Sequence, residues 1–560
     1  MSFRIIYGRA GTGKSEYCYK EIAQKVKSEN KILIITPEQF SFTAEKKLME
    51  AIDAEAVLNA EVVTLSRMAY RVINEIGGNK QANLSKCGKE MLVYSILSNN
   101  KKNLKFLGKT DENVDMAETA ITEFKKHGIS VEQLKNEMNK QEDIYLKNKL
   151  QDMCTIYENF EEQLSGKYID ETDLLTILAE NVDNTTLFSD SIVYIDEFAG
   201  FTSQEYEVIK KLIKIAKQVT ITICTDELQD AKNPDADIFY SNQITVNKLL
   251  EVAKECNIKV EELKLEETKR FKSKELKHLE QNLYENRYKK YEKTAENLQL
   301  FLAKNQYSEI EEVAKNILKL VRDEGYRYRD ISIITKNIDT YSSLARAIFD
   351  KYDIPIFIDE NRDLNQNIVV QYVLAILEIF TRNWSYEAVF NYIKTGFANI
   401  DADDIFKLER YCIKWGIKQN KWKKEFTYGN YEEKDKAEIE RFEQIRKDVI
   451  NPLIKLKKQI DENKTAEGIS KAIYQFLVEE QIAEKVAIKV EELQELGQID
   501  IANEYESSLQ TIIDILDEIV LVFKDDKMTI DKYTQILKVG FKNSSLTKIP
   551  GTPVNSQNSG

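Results

Sequence analysis

Residues 8–15, read as Gly8-Arg9-Ala10-Gly11-Thr12-Gly13-Lys14-Ser15, constrain this chain more than any other stretch, because they spell a phosphate-binding loop whose flanks are fixed. Residues 3–7 before them are an apolar run of β-formers, and a helical apolar pattern through Tyr17, Ile22, Ala23 and Val26 follows. In the order strand, glycine loop, helix, backbone amides can curl around phosphate oxygens, and a helix N-terminus adds partial positive charge. Lys14 is placed to reach the β- and γ-phosphates and Ser15 to ligate Mg²⁺, so the expected ligand is ATP with Mg²⁺.

Such a loop calls for a second metal anchor, an apolar strand ending in a carboxylate. Residues 192–195 are Ile, Val, Tyr and Ile, and Asp196-Glu197 stands at their C-terminal end, where parallel sheets place ligands. Asp196 is expected to hold the metal through water and Glu197 to orient the attacking water. An acidic turn closing an ordinary strand is the alternative, and the phosphate loop weighs against it. The two motifs are 196 − 14 = 182 residues apart, more than a compact nucleotide core needs, so a segment is inserted. Residues 31–36 and 61–65 read as strands. From about 80 to 180 the periodicity is helical, with runs such as 117–124 and 150–160, before strands resume at 192–195 and 219–224.

A chain of 560 residues exceeds what one core supports, about 250–300 residues, so several packing units are expected. With 42% hydrophobic and 31% charged residues it can bury those cores, and six prolines leave long helices uninterrupted. The net charge of 80 − 94 = −14 argues against coating nucleic acid with the whole surface but permits a local basic track. Cys18, Cys87, Cys154, Cys224, Cys256 and Cys412 lack the close spacing of a zinc or cluster knuckle and read as idle thiols in a reducing cytosol. His127 and His278 share no ligand spacing, and Asp401, Asp403 and Asp404 read as a solvated helix start. No apolar run reaches the roughly 18 residues of a membrane span, so a cytoplasmic protein without membrane contact is expected.

The motifs together resemble the AddB subunit family of AddAB (RexAB) helicase-nucleases, whose fold is that of UvrD-type superfamily 1 helicases. The resemblance is carried by RIIYGRAGTGKS at 4–15, TPEQFSFTAEKKL at 36–48, VVTLSRMAYRV at 62–72 and VYIDEFAGFTSQE at 193–205. It continues through EIEEVAKNILKLVRDEGYRYRDISIITKN at 309–337 and IPIFIDE at 354–360. It implies an α/β fold of P-loop RecA-like domains with large helical insertions, predominantly helical overall. On that pattern residues 1–80 and 181–295 form the first RecA-like domain and 81–180 its insertion. A second domain starts at 296–364, with strands at 331–335 and 354–358, and carries a helical insertion at 365–545. Residues 546–560 are read as a disordered tail, and 549–560 carry no charge. The family continues into a nuclease domain with Mg²⁺-binding carboxylates and iron–sulfur cysteines that this sequence does not contain, so a fragment is expected.

The resemblance also implies a heterodimer with an AddA-type helicase-nuclease subunit, acting on double- and single-stranded DNA at double-strand breaks during recombinational repair. This subunit would guide DNA and scan one strand. Several departures set it apart from a working motor. Only seven residues precede Gly8, too few for the glutamine motif that reads adenine. Residues 225–229, Thr-Asp-Glu-Leu-Gln, keep the spacing of a Gly-Asp-x-x-Gln motif without its glycine, and nothing in 255–295 matches the asparagine-tyrosine-arginine motif. The implied subunit is a helicase whose motor has decayed; an autonomous helicase, or a scaffold with a vestigial loop, are the alternatives.

Two stretches run against the acidic average. Residues 269–293 carry nine basic and four acidic residues, 9 − 4 = +5, with Phe271, Tyr284, Tyr288 and Tyr291 among them. Residues 407–424 carry seven basic residues and Glu409, 7 − 1 = +6, with Tyr411, Trp415 and Trp422. Cations interleaved with aromatics suit a nucleic-acid backbone track with stacking platforms, which makes Arg270, Lys272, Lys274, Lys414, Trp415, Lys418, Lys421 and Trp422 DNA-binding candidates. Solvated helix faces and core aromatics are the plainer reading of the same pattern.

Overall fold

Parallel ladders fix where the phosphate loop opens. The computed structural model describes residues 2–29, 31–53, 59–78, 81–107, 113–228, 237–284, 289–358, 364–398, 400–429 and 433–543. Its strands are β1 (Ser2–Gly8), β2 (Ile32–Ile35), β3 (Ala60–Val63), β4 (Ala82–Leu84), β5 (Tyr168–Asp170), β6 (Ile192–Ile195), β7 (Gln218–Cys224) and β8 (Val260–Lys264). Six of them form one sheet in the order β3-β2-β6-β7-β1-β8, every pair parallel. The register sets Gly8 opposite Cys224 and Ile195 opposite Ile221. The loop after β1 and the carboxylates after β6 therefore leave the same edge of the sheet, with β7 between them.

The central strands β2, β6 and β1 are apolar and buried on both faces, as a parallel sheet covered on both sides requires. Alternate residues of β1 enter opposite cores: Phe3 and Ile5 join one, with Met68, Val72, Leu178, Ile209 and Leu212 from three covering helices. Ile6 joins the other, with Cys18 and Ile22 from the helix Lys14–Lys25. Fully burying side chains of this size contributes about 1.5–3 kcal/mol each, so both faces hold the loop's strand in place.

The chain divides into two compact units. The first comprises Met1–Leu84 and Lys102–Phe301, and the second Ser85–Lys101 with the residues from Leu302 onward. Within the first unit the helical segment after β3 contains a small parallel pair, β4 with β5. Beside it, the buried ammonium of Lys125 is bonded to Asp173 at 2.8 Å, with Glu161 and Asp170 at 3.2 and 3.3 Å. Burial alone would lower its pKa, but the three carboxylates raise it above the ordinary lysine value.

The second unit is helical among its described residues. Helix Lys86–Asn100 comes from the stretch read as the first insertion but lies in this unit, buried on all sides from Gly88 to Leu97 and packed on helices Ile499–Phe523 and Ile530–Asn543. One expectation fails here. Residues 331–335 and 354–358 read as strands, yet they form no ladder among the described residues. Ile331, Ile354, Ile356 and Ile358 pack under helices Gln306–Asp323 and Ile338–Lys351, whereas Ile334 and Phe357 stay exposed. An apolar β-forming run becomes a strand only when a neighbouring backbone takes its hydrogen bonds. Residues 359–360 of the same motif and the tail 546–560 lie outside the described residues. No described helix is long and apolar enough to cross a membrane.

Candidate nucleotide-binding site

The loop of residues 8–15 takes its shape from two left-handed glycines, Gly11 at φ 79° and Gly13 at φ 83°, the second being the N-cap of helix Lys14–Lys25. Both conformations are ones that other residues rarely adopt. Close packing imposes a further limit, because a Cβ on Gly8 would run into the Leu265 carbonyl oxygen and one on Gly11 would meet Arg270 Cβ at 2.8 Å. Thr12 is buried and its hydroxyl donates to the Arg9 carbonyl at 3.0 Å. The Lys14 ammonium lies across the loop, donating to the carbonyls of Gly8 at 2.8 Å and Arg9 at 3.1 Å. Burial lowers its pKa below the ordinary lysine value, while Cys224, Asp196 and Glu197 pull it back up.

Asp196 and Glu197 meet this loop as their position after β6 requires. Asp196 is buried; its amide donates to the Ile35 carbonyl at 3.0 Å, and one carboxylate oxygen accepts the Thr222 hydroxyl from β7. Its other oxygen, Oδ2, is buried with no hydrogen-bond partner among the described residues. A buried carboxylate oxygen without a donor is costly in a neutral cleft and well suited to a hydrated cation. Glu197 sits in the left-handed region at φ 66°, and its carboxylate accepts from the Ser15 hydroxyl at 3.2 Å and lies 3.7 Å from the Lys47 ammonium. Loop, carboxylates and Lys47 line a cleft of about 1120 Å³ that also includes Lys20, Lys269 and Arg270.

Sequence reasoning missed what surrounds Arg9. Its guanidinium pairs with Asp226 at 3.2 Å and Glu280 at 3.0 Å, donates to the Glu280 carbonyl at 2.9 Å, and sits 5.0 Å from the Phe239 ring centre. Asp226 belongs to the degenerate stretch 225–229, so that stretch contributes an ion pair to the loop; its Gln229 lies outside the described residues. The chain after β8 passes directly over the loop. The Leu265 amide donates to the Tyr7 carbonyl at 2.8 Å, and the amides of Lys269 and Arg270 donate to the Gly11 carbonyl at 2.7 and 3.1 Å. Arg270, read from sequence as a DNA contact, thus lines the cleft beside the phosphate loop. Lys272 and Lys274 are exposed beyond it, and residues 285–288 of the same basic stretch lie outside the described residues.

The second basic stretch divides internally. Helix Ala402–Trp415 ends at the left-handed Gly416, and the turn Gln419–Lys423 swings Trp422 inward. Trp422 is a correction to the sequence reading: it is 0% exposed, packed against Phe390 and Phe426, and cannot stack on a nucleobase. Lys421 is a partial one, because its ammonium donates to the Trp415 carbonyl at 2.9 Å and braces the turn. Lys414 and Lys418 are exposed. Among the described residues no group of three or more His, Cys, Asp or Glu side chains is placed to hold a metal ion.

Comparison with known proteins agrees along the chain. The family described as ADDB, N-terminal, matches residues 5–280. A protein of Caldanaerobacter subterraneus subsp. tengcongensis, named as the B-type subunit of an ATP-dependent helicase/deoxyribonuclease, is 38% identical over 567 residues, covering 98% of this chain and 49% of that protein. The proteins of the same name from Clostridium botulinum (strain Loch Maree / Type A3) and Clostridium novyi (strain NT) are each 36% identical, covering 99% and 98% of this chain and 50% and 49% of theirs. The chain spans about half the length of the curated relatives it matches.

Proposed function

Because this chain belongs to the AddB family, we propose that it is the nucleotide-binding, DNA-handling part of a two-subunit ATP-dependent helicase/deoxyribonuclease that processes double-strand break ends for recombinational repair. Its partner is an AddA-type subunit, which supplies the translocating motor. The observation that carries this reading is the pairing of a complete phosphate loop with Asp196, whose buried Oδ2 lacks a donor among the described residues.

In this reading the first unit is a RecA-like domain. The amides after Gly8 and the Lys14 ammonium bind the triphosphate, and Ser15 and Asp196 hold Mg²⁺, which would neutralise charge between the terminal phosphates. Glu197 is the group closest to a base for an attacking water, and here it is engaged by Ser15 and Lys47. Lys269 and Arg270 bring cations to the loop from the same unit, the place that the sequence left without an assigned arginine. With Asp226 tied to Arg9, the nucleotide serves to brace the first unit more than to drive movement.

A ligand held only by the folded state stabilises it by about 2.7 kcal/mol at a hundredfold excess over Kd. Lys14→Ala should abolish the rise in melting temperature that ATP and Mg²⁺ produce in the wild-type chain, yet leave translocation by the assembled complex intact. Arrest of translocation by Lys14→Ala, with assembly unaffected, would make this subunit a motor and refute the reading.

A further inference from the structure

The helix Ala402–Trp415 presents a groove of about 550 Å³ whose chemistry is distinct from that of the nucleotide cleft. Arg410 and Lys414 line it one helical turn apart, on one face and both exposed. Neither forms an ion pair with a described carboxylate, in contrast to Lys407 one turn earlier, which is bonded to Asp403 at 2.7 Å. Among the described lining residues Glu438 is the carboxylate, against these three cations. At one end Trp415 and Tyr428 stack with ring centres 5.7 Å apart and planes 18° off parallel.

That ring pair is held from behind. Lys421 ties the Trp415 carbonyl, and Gly429 at φ 89° lies so close to the indole that a Cβ there would touch it at 3.4 Å. Lys414 and Lys421 place ammonium groups 5.2 and 5.3 Å from the two ring centres. Beside them Ile413 is 65% exposed, an apolar side chain left in water next to a platform of aromatic rings. We propose that this groove takes single-stranded nucleic acid, with Trp415 and Tyr428 stacking a base while Arg410 and Lys414 contact phosphates. Cations with no carboxylate partner among the described residues suit a polyanion, and rings braced by backbone suit the flat face of a base, which a duplex hides within its own stack. The inference rests on the DNA-handling reading above and adds to it the strand state and the residues.

Tryptophan emission tests it selectively, because of the three tryptophans Trp384 and Trp422 are 4% and 0% exposed. Titrating the full chain with a short oligo(dT) should quench its emission. Trp415→Ala should remove the quenching and weaken binding by about five- to a hundredfold, and Trp415→Phe should restore most of the affinity. Arg410→Gln with Lys414→Gln should lower the slope of log affinity against log salt by about 1.4, that is, about 0.7 for each phosphate contact. Unchanged oligo(dT) affinity and slope in these variants, in a chain that still binds DNA, would overturn the groove and spare the DNA-handling reading. Equal binding and quenching by duplex DNA or by polyglutamate would overturn the single-strand assignment. A wild-type chain that bound no DNA would overturn both.

Discussion

Residues 269–293 and 407–424 look alike in sequence, each basic and each interleaved with aromatics, but they sit in different units and in different surroundings. In the first, Lys269 and Arg270 hydrogen-bond through their amides to Gly11, so the chain's direction there is set by the phosphate loop beneath it. In the second, Arg410 and Lys414 project from a helix whose far side is anchored in an aromatic core, and they have no ion-pair partner among the described residues. A cation's role follows from what its backbone is tied to, which composition does not record.

The largest effect expected from this comparison concerns the two tryptophans of the second stretch. Trp422 fills core space, and Arg446 both donates to its carbonyl at 3.0 Å and pairs with Glu443 at 2.6 Å. Trp422→Ala should therefore cost about 3–5 kcal/mol in chemical denaturation of the chain, as large-to-small core changes do. Trp415→Ala, at a groove end, should cost well under half of that. Equal losses would mean that Trp415 is also a core residue and that the stretch has no open face.

Part of this arrangement was legible in the sequence and part was not, for physical reasons. The β1 loop and the run ending at Asp196 could be read because every cue there is local: β-formers, then glycines or a carboxylate, in one short window. Residues 331–335 carry the same local cue and form no ladder among the described residues, because a ladder depends on a second backbone that the run does not contain. The ion pairs of Arg9 with Asp226 and Glu280 span more than two hundred residues, and nothing in composition or spacing announces them. Trp422 stood among the stacking candidates because cations and aromatics interleave along 407–424, and that interleaving does not record Gly416, whose left-handed backbone ends the helix and redirects the chain. The order Trp-Gly in a helical pattern was the available signal.

A smaller pair of effects tests whether the two stretches are separable. Arg270→Ala should weaken nucleotide binding by about 1 kcal/mol, the scale of a solvent-screened charge contact, and leave the salt dependence of DNA binding as it was. Arg410→Gln with Lys414→Gln should do the reverse. Calorimetric titration with ATP and salt-resolved DNA titrations on the same two variants give the comparison. If Arg270→Ala flattened the DNA slope, the stretch above the phosphate loop would be part of a DNA track, and the division drawn here would fail.

The smallest effect is a pH dependence confined to the first region. Lys14 has its pKa lowered chiefly by burial and further by Arg270, against the raising influence of Cys224, Asp196 and Glu197. A triphosphate binds the ammonium form, so affinity should be flat near neutrality and fall as pH rises through the lowered pKa, earlier than the value of about 10.4 for a free lysine side chain would give. Binding in that alkaline window should take up a proton, visible as a heat that depends on the buffer's ionisation enthalpy. The stability of the chain responds with the opposite sign: a lysine whose folded pKa lies below its unfolded one costs stability while both forms are charged, and the cost is relieved as pH rises. Weaker binding at high pH would therefore not reflect unfolding caused by Lys14. Arg270→Ala removes one lowering charge and should move the fall in affinity to higher pH, whereas Arg410→Gln should leave it in place. A fall that begins no earlier than expected for a free lysine, or that ignores Arg270→Ala, would show that Arg270 does not act on the phosphate loop, and the contrast between the two basic stretches would lose its electrostatic basis.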